Sequence, residues 1–180
     1  MLNNEDAILV VIDVQERFLK IIHEHEQLVP KLEKTIKVAE IFELPVLWTE
    51  QAPDKLGPTV SSIHHLLFPI FKPIAKHSFS AWGCAEFVSA LQALNRKQII
   101  LVGIETQVCI YQTASDLHKH GFEVHVVADV TSSRTLQNKE IALARLRQEG
   151  VTITVIESVI CELLKTAHHP KFRDVMAYVK

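Results

Sequence analysis

The sequence predicts an α/β protein in which a parallel sheet carries helices on both faces, and three observations predict it. Short apolar runs of strand length alternate with amphipathic segments of helix length along all 180 residues. That order calls for right-handed crossovers between parallel strands. The runs are nearly continuous, as in Ile99, Ile100, Leu101 and Val102, which suits strands buried on both sides. With 48% hydrophobic residues the chain has material for a full core, and its length suits one domain spanning 1–180.

Taken in order, Ala7 to Ile12 reads as the first strand, closed by Asp13, and Leu28 to Phe42 as the first long helix. Pro45 to Thr49 gives a second strand running into Glu50, and Lys72 to Lys76 a third. Between them Ser61 to Phe71 is unusually apolar for a connection, which suits a pocket wall or a subunit contact. Ala85 to Asn95 is helical, and Gln98 to Gly103 is the fourth strand, punctuated by Gly103. From Thr106, a plausible N-cap, Ile110, Ala114 and Leu117 recur at helical spacing as far as His120, with Gly121 as the stop. Glu123 to Ala128 is a fifth strand, ended by Asp129 and the hydroxyls of Thr131, Ser132 and Ser133. A helix over Asn138 to Glu149, a strand over Val151 to Ile156 and helices over Val159 to Ala167 and Phe172 to Tyr178 complete the chain.

Composition narrows the function. A net charge of −2 supplies no basic field for nucleic acid or anionic lipid. Three cysteines, Cys84, Cys109 and Cys161, argue against a disulfide framework and for a reducing compartment. The N-terminal apolar run stops at Asp13 without a basic flank, so neither a signal peptide nor a membrane span is expected, and a cytoplasmic protein is.

In parallel sheets, sites gather at the carboxyl ends of strands. There the sequence delivers Asp13, Glu50, Lys76 and the turn before Cys109: carboxylates, an ammonium and a thiol on one rim. Taken singly, Asp13 would serve equally as a turn cap, Lys76 as a solvated cation and Cys109 as packing. Cys109 falls outside the apolar stripe of its helix, on the side of Thr113 and Asp116, so it is expected at the mouth of the turn. A first-turn thiol beside a lysine favours the thiolate, and Cys109 should then be alkylated ahead of Cys84 and Cys161.

Three motifs together, VVIDVQERF around Asp13, KPIAKHSFSAW around Lys76 and VGIETQVCIYQTASDL around Cys109, resemble the isochorismatase-like cysteine hydrolase superfamily. The stretch LWTEQAPDKLGPT and the GIETQ before the cysteine are most similar to its isochorismatase domain-containing branch. The resemblance implies a three-layer, Rossmann-like sandwich with a six-stranded, mostly parallel sheet. It further implies Cys109 as nucleophile, Asp13 as proton acceptor and donor, and Lys76 as the cation that holds both. A cis peptide joining Ile104 to Glu105 is implied, with the N–H groups of Glu105 and Cys109 as the oxyanion hole. Phe18, Glu50, Gln51, Trp82 and Ile110 are its pocket candidates, and a homo-oligomer is expected. The region after the second strand lacks the Asp and His set of metal-dependent nicotinamidases, so no metal and no other cofactor is expected. The activity implied is cysteine-dependent hydrolysis of a small amide, ureido or related C–N bond through an acyl-enzyme. Vinyl-ether hydrolysis of the isochorismatase type, or a non-catalytic binding homologue, are the alternatives.

Overall fold

The computed structural model describes residues 1–68 and 70–178. Six strands form one sheet: β1 (Ala7–Ile12), β2 (Val46–Gln51), β3 (Ile74–Lys76), β4 (Gln98–Ile104), β5 (Glu123–Ser132) and β6 (Thr152–Thr154), in the order β3-β2-β1-β4-β5-β6. Every strand pair in it is parallel. β1 is buried from end to end, which explains its unbroken apolar run. Its residues still divide by the pleat. Ala7, Leu9 and Val11 join one core cluster, with Leu32 and Ile36 of the helix His25–Ile41, Ile63 of Ser61–Leu67 and Ile160 of Ile156–Leu164. Ile8, Val10 and Ile12 join the other, with Phe87 of Ala85–Ala93, Leu117 of Tyr111–Lys119 and Leu146 of Leu136–Gln148. Two cores on one sheet make the three-layer sandwich. In chain order these helices are α1 (Glu16–Leu19), α2 (His25–Ile41), α3 (Pro53–Leu56), α4 (Ser61–Leu67), α5 (Ala85–Ala93), α6 (Tyr111–Lys119), α7 (Leu136–Gln148), α8 (Ile156–Leu164) and α9 (Phe172–Met176).

Strand order reverses between β1 and β4, and in open α/β sheets the crevice at such a switch point is the usual ligand site. The short helices α1, α3 and α4 lie in connections between the elements that hydropathy patterning predicts. Ser61 to Leu67 of the apolar segment is α4, with Ile63 and Leu67 in the core; Pro69 lies outside the described residues.

Three boundaries move for physical reasons. Gly103 does not end the fourth strand. It continues in register with Ile12 and Thr131 at φ +115°, and a Cβ there would overlap the carbonyl oxygen of Ile12. The fifth strand runs on to Ser132 through an irregularity between the pairs Leu101–Val126 and Gly103–Thr131. Asp129 sits inside it and accepts the N–H of Ile156 at 3.0 Å, so the carboxylate caps the entry to α8 instead of stopping the strand. Ile156 opens α8 at that bond, and β6 is confined to Thr152–Thr154.

Candidate active site

Asp13 follows β1 directly in the left-handed region, at φ 53°, a conformation that aspartate tolerates better than most side chains. Both of its carboxylate oxygens are used. Thr49 Oγ1 donates to Oδ1 at 2.7 Å, and Lys76 Nζ donates to Oδ2 at 2.7 Å. Lys76 ends β3 with its side chain fully buried, where an unpaired ammonium would be costly. It has four acceptors instead: Asp13, Gln51 Oε1 at 2.7 Å, and the carbonyls of Ser78 at 3.2 Å and Phe79 at 3.1 Å. Gln51 is held in turn. Its Nε2 donates to the His77 carbonyl at 2.8 Å, its N–H donates to Gln15 Oε1 at 2.7 Å, and Gln15 Nε2 returns a bond to its carbonyl at 3.0 Å.

Cys109 lies in the turn Thr106–Ile110, and the sequence expectation for its placement is corrected here. The N–H of Ile110 reaches the carbonyl of Glu105, five residues back, at 3.2 Å, so the segment opens as a π turn before α6 begins. The wider turn shifts the helical phase and carries Cys109 inward, to 4% exposure in the core cluster under α6. Thr106 is not the cap; Glu105 holds that position, and Thr106 is fully buried.

Burial also reverses the expected ionisation. Desolvation pushes the Cys109 thiol up to about 12, the Asp13 charge adds to the rise, and the Lys76 charge opposes it without winning. Hydrogen bonding divides the same way, Asp13 favouring the protonated form and Lys76 the thiolate. The resting site is therefore a neutral thiol against a carboxylate that is itself clamped by a lysine. Cys161 is exposed, Cys84 half-buried and Cys109 buried. Iodoacetamide at pH 7.5 is accordingly expected to label Cys161 first and Cys109 last, opposite to the order drawn from the sequence. Asp13→Asn removes the anion that holds the proton and should speed labelling of Cys109 several-fold, read by peptide mapping over time. Slower labelling in that variant would contradict the assigned contact between thiol and carboxylate.

The peptide joining Ile104 to Glu105 is cis, as the resemblance implies. The Glu105 carboxylate, 5% exposed, accepts Arg134 Nε at 2.9 Å on Oε2 and Arg134 Nη2 at 3.1 Å on Oε1, and Gln107 Nε2 donates to Oε2 at 3.0 Å. Of the five pocket candidates, Gln51 bonds Lys76 directly. Glu50 instead holds the loop after α3, its Oε1 accepting the N–H of Thr59 at 2.7 Å and the Thr59 hydroxyl at 2.8 Å. Ile110 is fully buried in core, and Phe18 packs half-buried against the α2-side cluster. Trp82 stacks on His120 with ring centroids 4.0 Å apart, at the far end of α6 from Cys109. Sequence reasoning missed Thr49, Gln15 and Arg134. Thr49 alone had a signal, a hydroxyl in β2 opposite Ile12, one residue before Asp13. Among the described residues, no group of three or more His, Cys, Asp and Glu is placed to hold a metal ion, and no helix is long and apolar enough to cross a membrane.

A three-layer α/β protein with carboxylate, ammonium and thiol converging beside its strand-order switch defines a class. Residues 7–158 match the isochorismatase domain, and the chain belongs to that family of isochorismatase-like hydrolases. It is 38% identical over 181 residues to isochorismatase domain-containing protein 2A of Mus musculus, covering 98% of this chain and 84% of the mouse protein. The structure is similar to that of MAR1 ribonuclease from Caenorhabditis elegans, with a TM-score of 0.93, 32% identity and coverage of 99% and 91% of the two chains. It is also similar to the YcaC gene product of Escherichia coli, described as an octameric hydrolase of unknown specificity, with a TM-score of 0.88, 26% identity and coverage of 99% and 95%.

Proposed function

We propose that the protein is a cysteine-dependent hydrolase that cleaves a small amide, ureido or related C–N bond through an acyl-enzyme. The observation that carries this reading is the buried Asp13–Lys76 ion pair beside the buried Cys109 thiol. A neutral thiol is a weak nucleophile and needs a base in contact, and a carboxylate in contact needs a fixed cation to remain charged in a dry site. Asp13 takes the Cys109 proton as sulfur bonds to the substrate carbonyl, and the developing oxyanion is met by the N–H groups of Glu105 and Cys109. Asp13 then gives that proton to the departing nitrogen as the C–N bond breaks. A water molecule, its proton taken by Asp13, attacks the thioester, and the thiol leaves carrying that proton. The balance is substrate plus water to acid plus amine. Lys76 moves no proton; it holds Asp13.

A homo-oligomer belongs to the same reading, supported by the octameric Escherichia coli relative and by the exposed Phe68, Ile70 and Phe79. The nematode relative's ribonuclease activity is a second reading, favoured by its 32% identity and opposed by this chain's net charge of −2. The test exposes purified protein to small amides and carbamoyl compounds and, separately, to single-stranded RNA. An added acyl mass on the Cys109 peptide together with ammonia or amine release supports the hydrolase. RNA cleavage that survives loss of the thiol would sink it.

A further inference from the structure

The Cys109 turn hangs on Glu105 from two directions. Its carbonyl accepts the N–H groups of Val108 at 3.1 Å and Ile110 at 3.2 Å, which shapes the turn that presents the thiol. Its carboxylate takes the two-point grip of Arg134 and a single bond from Gln107 of the same turn. Arg134 comes from another part of the chain and is fixed on both sides. The carbonyl of Ser133 accepts the N–H of His23 at 2.8 Å, and Thr135 caps α7 by accepting the N–H of Asn138 at 3.1 Å. The two partners differ sharply in exposure, the Arg134 side chain being 57% exposed and the Glu105 side chain 5%. Such a pair adds little stability on its solvent side, whereas a planar fork fixes the carboxylate in position and direction.

We propose that Arg134 is a positioning residue for the oxyanion hole: by gripping the Glu105 carboxylate it sets the direction of the Glu105 N–H, without touching substrate or thiol. The inference rests on the reading of Glu105 and Cys109 N–H groups as the oxyanion donors. It assigns a catalytic consequence to a surface arginine 25 residues along the chain from the nucleophile. Misdirecting one donor weakens only steps in which charge develops on the carbonyl oxygen. Thiol activation, which runs through Asp13 and Lys76, is left as it was.

Two reagents of similar size separate these effects. Adding acrylamide forms a bond between sulfur and the terminal alkene carbon and moves the alkene electrons to the carbonyl oxygen as an enolate. The proton that Asp13 took from the thiol then goes to the neighbouring carbon. Iodoacetamide instead forms the sulfur–carbon bond with expulsion of iodide and places no charge on the carbonyl; the thiol's proton is lost to solvent. The measured quantity is the ratio of acrylamide to iodoacetamide labelling rates on the Cys109 peptide, with exposed Cys161 as the internal reference. In the wild type this ratio should be higher at Cys109 than at Cys161. In Arg134→Ala the ratio at Cys109 should fall about tenfold, with iodoacetamide labelling changed by less than about twofold. Arg134→Lys, which keeps the charge but loses the fork, should fall in between. Should the alanine variant fail to fold, Gln107→Ala removes one bond to the same carboxylate and should lower the ratio by about threefold.

The outcomes are distinct. Equal ratios at Cys109 and Cys161 in the wild type would overturn the oxyanion assignment and Arg134's role with it. A high wild-type ratio that Arg134→Ala leaves unchanged, or both rates falling together, would overturn the positioning role alone. A lowered ratio in the alanine variant with partial recovery in Arg134→Lys supports it.

Discussion

Cys109→Ala is expected to lower turnover by at least about a thousandfold on any substrate that acylates the wild type, because the proposed covalent route loses its nucleophile. The fold should survive. Alanine keeps Cβ in the core under α6, and losing one buried sulfur costs roughly 1 kcal/mol. A dead but folded variant is therefore separable from an unfolded one by thermal melting beside the activity assay. A second readout follows from ionisation. The folded thiol, pushed up to about 12, stays neutral long after the unfolded thiol has ionised near about 8.5. A group raised on folding contributes stability that is whole below its unfolded value and lost as pH rises through its folded value. The wild type should thus lose stability between those limits, while Cys109→Ala has no such loss at this position. Urea melts at pH 7.5 and pH 10 should show the variant gaining on the wild type at the higher pH. A constant difference would mean the thiol is less buried than described.

How far the sequence carried can be traced residue by residue. The sheet was legible because β1 and β4 are buried throughout, and such strands write themselves as apolar runs. The meeting of Asp13, Lys76 and Cys109 was legible because Asp13 and Lys76 close two of those runs and Cys109 falls in the first turn after a third. What did not show was phase. One added residue in the turn Thr106–Ile110 moves Cys109 from a helix face to the core, and no local spacing distinguishes a π turn from the first turn of an α-helix. The error in ionisation came from the same place. Lys76 does lie beside the thiol, but the cost of burying a thiolate exceeds its attraction. Contacts distant in sequence were invisible for a simpler reason. The grip of Arg134 on Glu105 and the exchange between Gln15 and Gln51 join elements that the sheet order brings together. Trp82 lies six residues beyond Lys76, a spacing that carried no information about which side of the loop its ring would take; it stacks on His120.

The largest effect on stability is expected at Lys76. Lys76→Met keeps the volume of the stem and removes the ammonium, leaving the Asp13 carboxylate 1% exposed with the Thr49 hydroxyl and the Cys109 thiol as its remaining donors of those described. It also strands Gln51 Oε1 and the carbonyls of Ser78 and Phe79. Breaking a buried pair from one side costs about 3–5 kcal/mol, since the surviving charge keeps its desolvation penalty and loses its partner. Asp13→Asn should cost less. The asparagine tolerates the left-handed backbone at φ 53°, can still accept from Thr49, and leaves Lys76 three neutral acceptors. The double variant Asp13→Asn/Lys76→Met should then be more stable than Lys76→Met alone, because no charge is left unpaired in the dry site. Its cost should fall short of the sum of the two single costs by about 1–3 kcal/mol. All three variants should be inactive, so activity cannot rank them and denaturant melts must. Costs that add to within about 0.5 kcal/mol would mean the two side chains act independently. Strong coupling with loss of turnover in every member would tie the site's stability and its chemistry to one ion pair, held at the ends of two strands that the sheet separates by a third.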